Sequence, residues 1–248
     1  MSKTAVLKIT KANAITVENF MRSICTQAED LFSNRIPVKI TQLDKMLKEP
    51  DFCITDLAAL HAPLEIPIPD PPTPEEEEME TDKNEEDEKK KKKAPKCGYI
   101  PGNEKMMKLL DKVKPEIRDL KETCILVTCW IQHLIPKIED GNDFGVAVQE
   151  KILERIVAIK TKLEGFQTNI NKYFTERGDG VGKASKETHV MDYRSLVHEK
   201  DEALYSEIRV MLLDVRGYYV SVGEGRANLR GDGDGEDSDM CRFVDVLT

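Results

Sequence analysis

Aromatic side chains are scarce in this sequence, at 6% of 248 residues with a single Trp. That scarcity argues against a sandwich of short strands, which relies on aromatic and β-branched residues to cover a pleated face. The six cysteines, Cys25, Cys53, Cys97, Cys124, Cys129 and Cys241, contain no CxxC or CxxH pair. Zinc-finger and dithiol redox spacings are therefore absent, and reduced thiols are expected. The four histidines, His61, His133, His189 and His198, are scattered, and no GxSxG, HExxH or phosphate-binding glycine loop occurs. No catalytic residue, cofactor or metal site is expected from such a chain. The paired carboxylates Glu139 and Asp140 stand alone, without the contrasting environments that acid–base work requires.

Long apolar runs are missing too. The most apolar stretch, Cys124 to Ile131, falls far short of the ~20 residues of a membrane span, and the opening MSKTAVLKIT has no apolar core of signal-peptide length. The expectation is a soluble, cytoplasmic chain with no membrane partner and the nucleus as a second compartment. A bulk positive charge is also lacking: the formal net charge is −9. Residues 75–93 carry ten acids and six lysines, and residues 221–248 carry seven acids and three arginines, so the remainder is nearly neutral. Nothing there neutralises a phosphate backbone, which excludes nucleic acid as the expected partner.

What the sequence does have is helical periodicity. Met106, Leu110, Val113, Ile117, Leu120, Cys124, Val127, Ile131 and Leu134 follow one another in steps of four and three. Steps averaging 3.5 residues place all nine on one helical face, which must be buried against other helices. Val17, Met21, Ile24, Ala28 and Leu31, then Ile36, Ile40, Leu43 and Leu47, mark a first helix interrupted near Pro37. A third is marked by Ile152, Ile156, Ile159, Leu163, Phe166, Ile170 and Phe174, and a fourth by Tyr193, Val197, Leu204, Ile208, Met211, Val215 and Tyr218. Pro115 is expected to bend or break the second helix.

Breakers lie between these segments: Pro136 with the Gly141–Gly145 turn, and Arg177-Gly178-Asp179-Gly180 after the third helix. Short links make neighbouring helices antiparallel. The fold class expected is all-α, an antiparallel four-helix bundle with one long connection between helices one and two. That connection, residues 61–102, begins as a proline-dense strap, Ala62 to Pro72, and continues as a charged run with five consecutive lysines, Lys89 to Lys93. The first part favours extended backbone; the second buries too little apolar surface to offset ordering entropy, and disorder is expected. The expected organisation is thus residues 1–60 for the first helix, 61–102 for the strap and loop, 103–220 for the remaining helices, and 221–248 as a tail.

Three stretches carry a family resemblance: APLEIPIPDPP at Ala62–Pro72, IPKIEDGNDFGVAVQEK at Ile135–Lys151, and KYFTERGD at Lys172–Asp179. Together they are similar to the 11S proteasome activator family, and CGYIPGNEK and KASKETHVMDYRSLVHEKDEA resemble the beta rather than the alpha type of subunit. The resemblance covers roughly residues 15–220. It implies a seven-membered ring of alpha-type and beta-type subunits that caps the alpha-ring of the proteasome core particle. Such a ring opens the gate without ATP and raises peptide hydrolysis, in vertebrates under interferon control and in support of antigen processing. It also implies a non-catalytic role. The family's activation loop corresponds to Lys137, Ile138, Glu139, Asp140, Gly141, Asn142, Asp143, Phe144 and Gly145.

From about Val220 the chain departs from the family pattern, with Gly223, Gly225, Gly231, Gly233 and Gly235 in a stretch without apolar period. That composition predicts no packed helix. The resemblance then implies a shortened fourth helix and a replaced docking tail. Two other readings stay open: a regulatory isoform that joins the ring without docking, and a helical scaffold whose charged loop recruits partners.

Overall fold

The computed structural model describes residues 10–68, 98–135 and 143–230. Among these residues there is no strand, and the chain is all-α as the periodicity predicts. The elements are α1 (Lys11–Asp30), a π-helical turn (Leu31–Arg35), α2 (Ile36–Met46), 3-10 turns at Pro50–Phe52 and Leu57–Leu60, α3 (Glu104–Leu134), α4 (Asp143–Lys186) and α5 (Met191–Arg230). Two compact units contain them.

The first unit comprises Met1–Cys53, Val113–Phe166 and Val210–Thr248. It packs α1 and α2 with parts of α3, α4 and α5, a bundle of four rods. Leu31 and Arg35 keep right-handed helical backbone angles, so α1 runs through the π turn into α2 as one rod. The widened turn accommodates Pro37, which lacks an N–H and would otherwise crowd the carbonyl one turn back. The π turn also brings consecutive residues Leu31 and Phe32 inward, where Phe32 meets Trp130 of α3 at 5.3 Å between ring centroids. Ile24, Ala28, Ile36 and Leu43 complete this rod's buried stripe. Val17, expected on the same stripe, is exposed, as are Ile15 and Phe20.

The second unit comprises Ile54–Lys112 and Gln167–Arg209. Here three rods, parts of α3, α4 and α5, are joined by the strap rather than by the first rod. Leu60 and Ile66 are buried, and Arg194 of α5 donates to the Ile66 carbonyl at 2.9 Å. The Ile54 N–H donates to the Tyr205 hydroxyl at 2.7 Å. A side-chain donor and a side-chain acceptor thus serve an extended segment that has no ladder partner. The expected charged loop and residues 69–97 lie outside the described residues.

The stripe on α3 holds at every position but the last: Leu134 is only half-buried. Pro115 lies inside α3, which continues unbroken through it. In α4 the expected end at Arg177–Gly180 does not occur; the helix runs to Lys186. The buried steps continue as Ile170, Tyr173, Arg177 and Ala184. Phe174 is exposed, because the step after Ile170 is three residues and selects Tyr173. The same happens on α5, where Tyr219 rather than Tyr218 is buried after Val215.

The expected loss of helix from Val220 is also overturned, since α5 extends to Arg230. Val222 is buried. A Cβ placed on Gly223 would lie 3.4 Å from Ile36 Cγ2, and one on Gly225 would lie 3.4 Å from Ile152 Cγ2. Both glycines therefore pack their bare backbone against apolar side chains of α2 and α4. Each glycine costs a helix about 1 kcal/mol relative to Ala, and this packing offsets that cost. Residues 231–248, the rest of the expected tail, lie outside the described residues.

Candidate functional site

The candidate turn joins α3 to α4. Its carrier is well built on both sides. Ile131 is fully buried, and the Ile135 N–H donates to the Ile131 carbonyl at 3.1 Å, extending the helical bonding one residue past Leu134. Gln149, nearly buried on α4, donates its side-chain N–H to the Leu134 carbonyl at 3.3 Å. A helix C-terminus leaves carbonyls without intrahelical donors, and Gln149 supplies one from the next helix. This bond fixes the spacing of the two helices at the base of the turn.

Of the predicted site residues, Lys137, Ile138, Glu139, Asp140, Gly141 and Asn142 lie outside the described residues. Asp143 and Phe144 open α4. Gly145, read from sequence as part of the turn, is instead a half-buried residue inside α4. The turn thus ends earlier than the glycine pattern suggests, because a single glycine followed by half-buried Val146 and Val148 and buried Gln149 does not stop a helix. Gln149 was missed in the sequence reading. The available signal was its register, since it precedes Ile152, Ile156 and Ile159 on the same face.

Two polar clusters fix the rods. In the first unit, Asp119 of α3 accepts from the Tyr219 hydroxyl at 2.8 Å, and Lys39 and Arg35 lie 3.1 and 3.3 Å from its oxygens. Lys39 also reaches Glu116 at 2.8 Å. Burial pushes the Asp119 carboxyl up, but the Tyr219 and Lys39 hydrogen bonds and the Lys39 and Arg35 charges outweigh it and leave it below the usual aspartate value. Arg216 of α5 pairs with Asp44 of α2 at 2.6 Å.

In the second unit, Asp201 of α5 is fully buried. It accepts from the Tyr173 hydroxyl at 2.7 Å, from Arg177 Nε at 2.9 Å and from Asn103 Nδ2 at 2.7 Å. Asn103 also caps α3: its Oδ1 accepts from the Lys105 and Met106 backbone N–H groups, and its Nδ2 donates to the Leu60 carbonyl. One side chain thereby joins the 3-10 turn at Leu57–Leu60, α3 and α5. Burial, then the bond to Asp201, pushes the Tyr173 hydroxyl above the usual tyrosine value. These carboxylates are saturated by donors and hold helices in register. Among the described residues no group of side chains is placed to hold a metal ion, and no helix is long and apolar enough to cross a membrane.

Helical rods held in register by buried polar clusters, with Gln149 bonded to the end of the preceding helix at the base of the turn, define an all-α helical-bundle protein. The family sequence models described as "Proteasome activator PA28, N-terminal" and "Proteasome activator PA28, C-terminal" match residues 11–71 and 99–224. The chain belongs to the PA28 proteasome activator family, also called the 11S activators.

Among its relatives, proteasome activator complex subunit 2 of Bos taurus is 57% identical over 222 residues, covering 90% of each chain. The Homo sapiens subunit 2 is 56% identical with the same coverage. Proteasome activator complex subunit 3 of Homo sapiens is 34% identical, covering 88% of this chain and 90% of the relative. The solved 11S subunit of the Plasmodium falciparum proteasome, PA28, shares the fold at a TM-score of 0.72 and 23% identity, covering 92% of this chain and 97% of that one. The match to residue 224 agrees with the continuation of α5 past Val220.

Proposed function

We propose that this chain assembles with an alpha-type subunit of the same activator into a hetero-heptameric ring, which docks on the alpha-ring of the proteasome core particle and opens its gate without ATP. The chain itself catalyses nothing. It raises peptide hydrolysis by the core particle in the cytoplasm and nucleus and so supports antigen processing under interferon control. Family membership over both halves of the chain carries this reading, together with relatives at 57% identity that are named as subunits of a proteasome activator complex.

The contact is assigned to Lys137, Ile138, Glu139, Asp140, Gly141, Asn142, Asp143, Phe144 and Gly145. The Gln149–Leu134 clamp supports the assignment, because a turn held at a fixed spacing can favour one arrangement of a gate subunit over another. Seven such turns in a ring act together, so a modest preference at each becomes a large bias.

The test combines the mass of the purified assembly, with and without an alpha-type partner, and fluorogenic-peptide turnover by core particles in its presence. A ring that stimulates turnover is the expected result. A monomer, or hydrolysis by the chain without core particles, overturns the reading. A second reading, a ring member that docks weakly, is favoured by residues 225–248, which lie beyond the family match. Co-sedimentation with core particles separates the two.

A further inference from the structure

The apolar stripe of the first rod begins before its burial does. Val17 and Met21 continue, in steps of four and three, the register of buried Ile24, Ala28 and Leu31, and Phe20 stands one turn before Ile24. Yet every residue from Lys11 to Phe20 is exposed, Val17 at 52% and Phe20 at 60%. A helix face patterned for burial but left in water marks a contact with something outside the packed helices.

The end of α5 shows what lies within reach. Gly223 packs on Ile36 and Arg216 pairs with Asp44, so in the first unit α5 runs antiparallel to the α1–α2 rod. With the same rise per residue on both helices, Arg230, the last described residue of α5, falls level with about Glu29. Phe20 and Val17 then lie ~14 and ~18 Å further along the rod. Past Arg230 the sequence reads Gly231 to Asp239, nine residues with five acids and no apolar side chain, and then Met240 to Thr248. Nine flexible residues span ~16 Å on average, which matches that gap. Met240, Phe243, Val244 and Leu247 have the i, i+3, i+4, i+7 spacing of a single helical face, with Arg242 and Asp245 off it.

We propose that residues 240–247 dock on Val17, Phe20 and Met21 of the same chain, apolar face against apolar face. Each stripe is short, but the linker makes their encounter intramolecular, with an effective concentration on the order of millimolar, so a weak pairing suffices. The segment lies beyond the family match, which ends at residue 224. Phe32 meets Trp130 and Lys39 meets Glu116, so the stripe extends past the end of α3 and brings the tail to the end of the bundle that carries the candidate turn.

The test is amide exchange of the full-length chain at micromolar concentration without core particles, so its failure leaves the activator reading untouched. Amides 15–21 are expected to exchange roughly tenfold more slowly in the native chain than in the Phe243→Asp, Leu247→Asp double variant, with helical content unchanged. Phe20→Asp is expected to remove the same protection, and Phe243→Leu to keep it. Mixing the Phe20→Asp chain with the double variant identifies the occupant, since each supplies one intact half. No recovery of protection is expected; recovery assigns the stripe to the tail of a second copy and overturns the proposal. Protection that survives in the double variant assigns the stripe to another surface, and its absence from the native chain leaves the stripe uncovered; either result overturns the proposal as well.

Discussion

The hydroxyl of Tyr219 donates a 2.8 Å hydrogen bond to Asp119, joining α5 to α3 across 100 residues of sequence. Asp119 is held below the usual aspartate value, so in the folded chain it remains charged at pH values where an unfolded chain begins to protonate. The unfolded state then binds more protons, and stability decreases as the pH is lowered. This contribution is complete above the ordinary value of 3.8 and is lost as the pH falls through the lowered one. Tyr219→Phe is expected to destabilise the chain by about 1–2 kcal/mol at pH 7, because a charged acceptor loses a donor. Urea unfolding at pH 7 and pH 3 checks this, with the difference between wild type and variant narrowing at the lower pH.

Asp201 and Arg177 form a buried ion pair at 2.9 Å. Removing one partner of such a pair strands the other in a low-dielectric site, typically at a cost of about 3–5 kcal/mol. Asp201→Ala is therefore expected to unfold far more readily than wild type in a thermal melt. The double change Asp201→Leu with Arg177→Met is expected to recover part of the loss, and a double variant no more stable than Asp201→Ala would contradict the buried-pair account.

Glycines inside α4 provide a contrast. A Cβ on Gly178 or Gly182 meets nothing within 4 Å, whereas one on Gly180 would lie 3.3 Å from Val197 Cγ2. Gly178→Ala and Gly182→Ala are each expected to stabilise by roughly 0.5–1 kcal/mol through reduced backbone entropy of the unfolded chain. Gly180→Ala gains the same term but must displace Val197, so its melting temperature is expected to lie below those of the other two.

These glycines explain where sequence and structure part company. The apolar steps of α3 were legible residue by residue, since burial and period report the same face. Arg177-Gly178-Asp179-Gly180 reads as a break because local propensity is all that a sequence window contains. The helix survives there through tertiary contacts of Tyr173, Arg177 and Ala184, which no local pattern encodes. Gly223 and Gly225 mislead in the same way, their closeness to Ile36 and Ile152 being a property of three helices at once. At the candidate turn, the glycines and Asn142 were visible as a motif. The clamp by Gln149 was visible only as a polar residue in an apolar register.

The strap carries a proton-sensitive contact. His61 stacks on His198 of α5 at 4.3 Å between ring centroids and bonds Glu202 at 2.6 Å. Burial, then the charge of His61, lowers the His198 value, with Asp201 and Glu202 opposing and Arg177 adding to the shift. A histidine lowered on folding favours the folded state above its ordinary value of 6.5, and that contribution is lost as the pH falls through the lowered value. Amide exchange in residues 60–68 is expected to quicken at pH 5.5 relative to pH 7.5, after correction for intrinsic rates. His198→Phe keeps the stack without the second charge and is expected to remove most of that pH dependence.

Asn142 tests the turn itself. A bulky side chain there changes what the turn presents, while the Gln149–Leu134 bond lies outside the substituted position. Asn142→Tyr is accordingly expected to leave ring mass and co-sedimentation with core particles unchanged while abolishing stimulation of peptide turnover, in rings where every turn carries a bulky substitution. Docking and gating are separable in this scheme because the turn acts by preferring the open arrangement, and a ligand without that preference shifts no equilibrium however well it is held. Full stimulation by such rings would place the gate-biasing contact on another part of the chain.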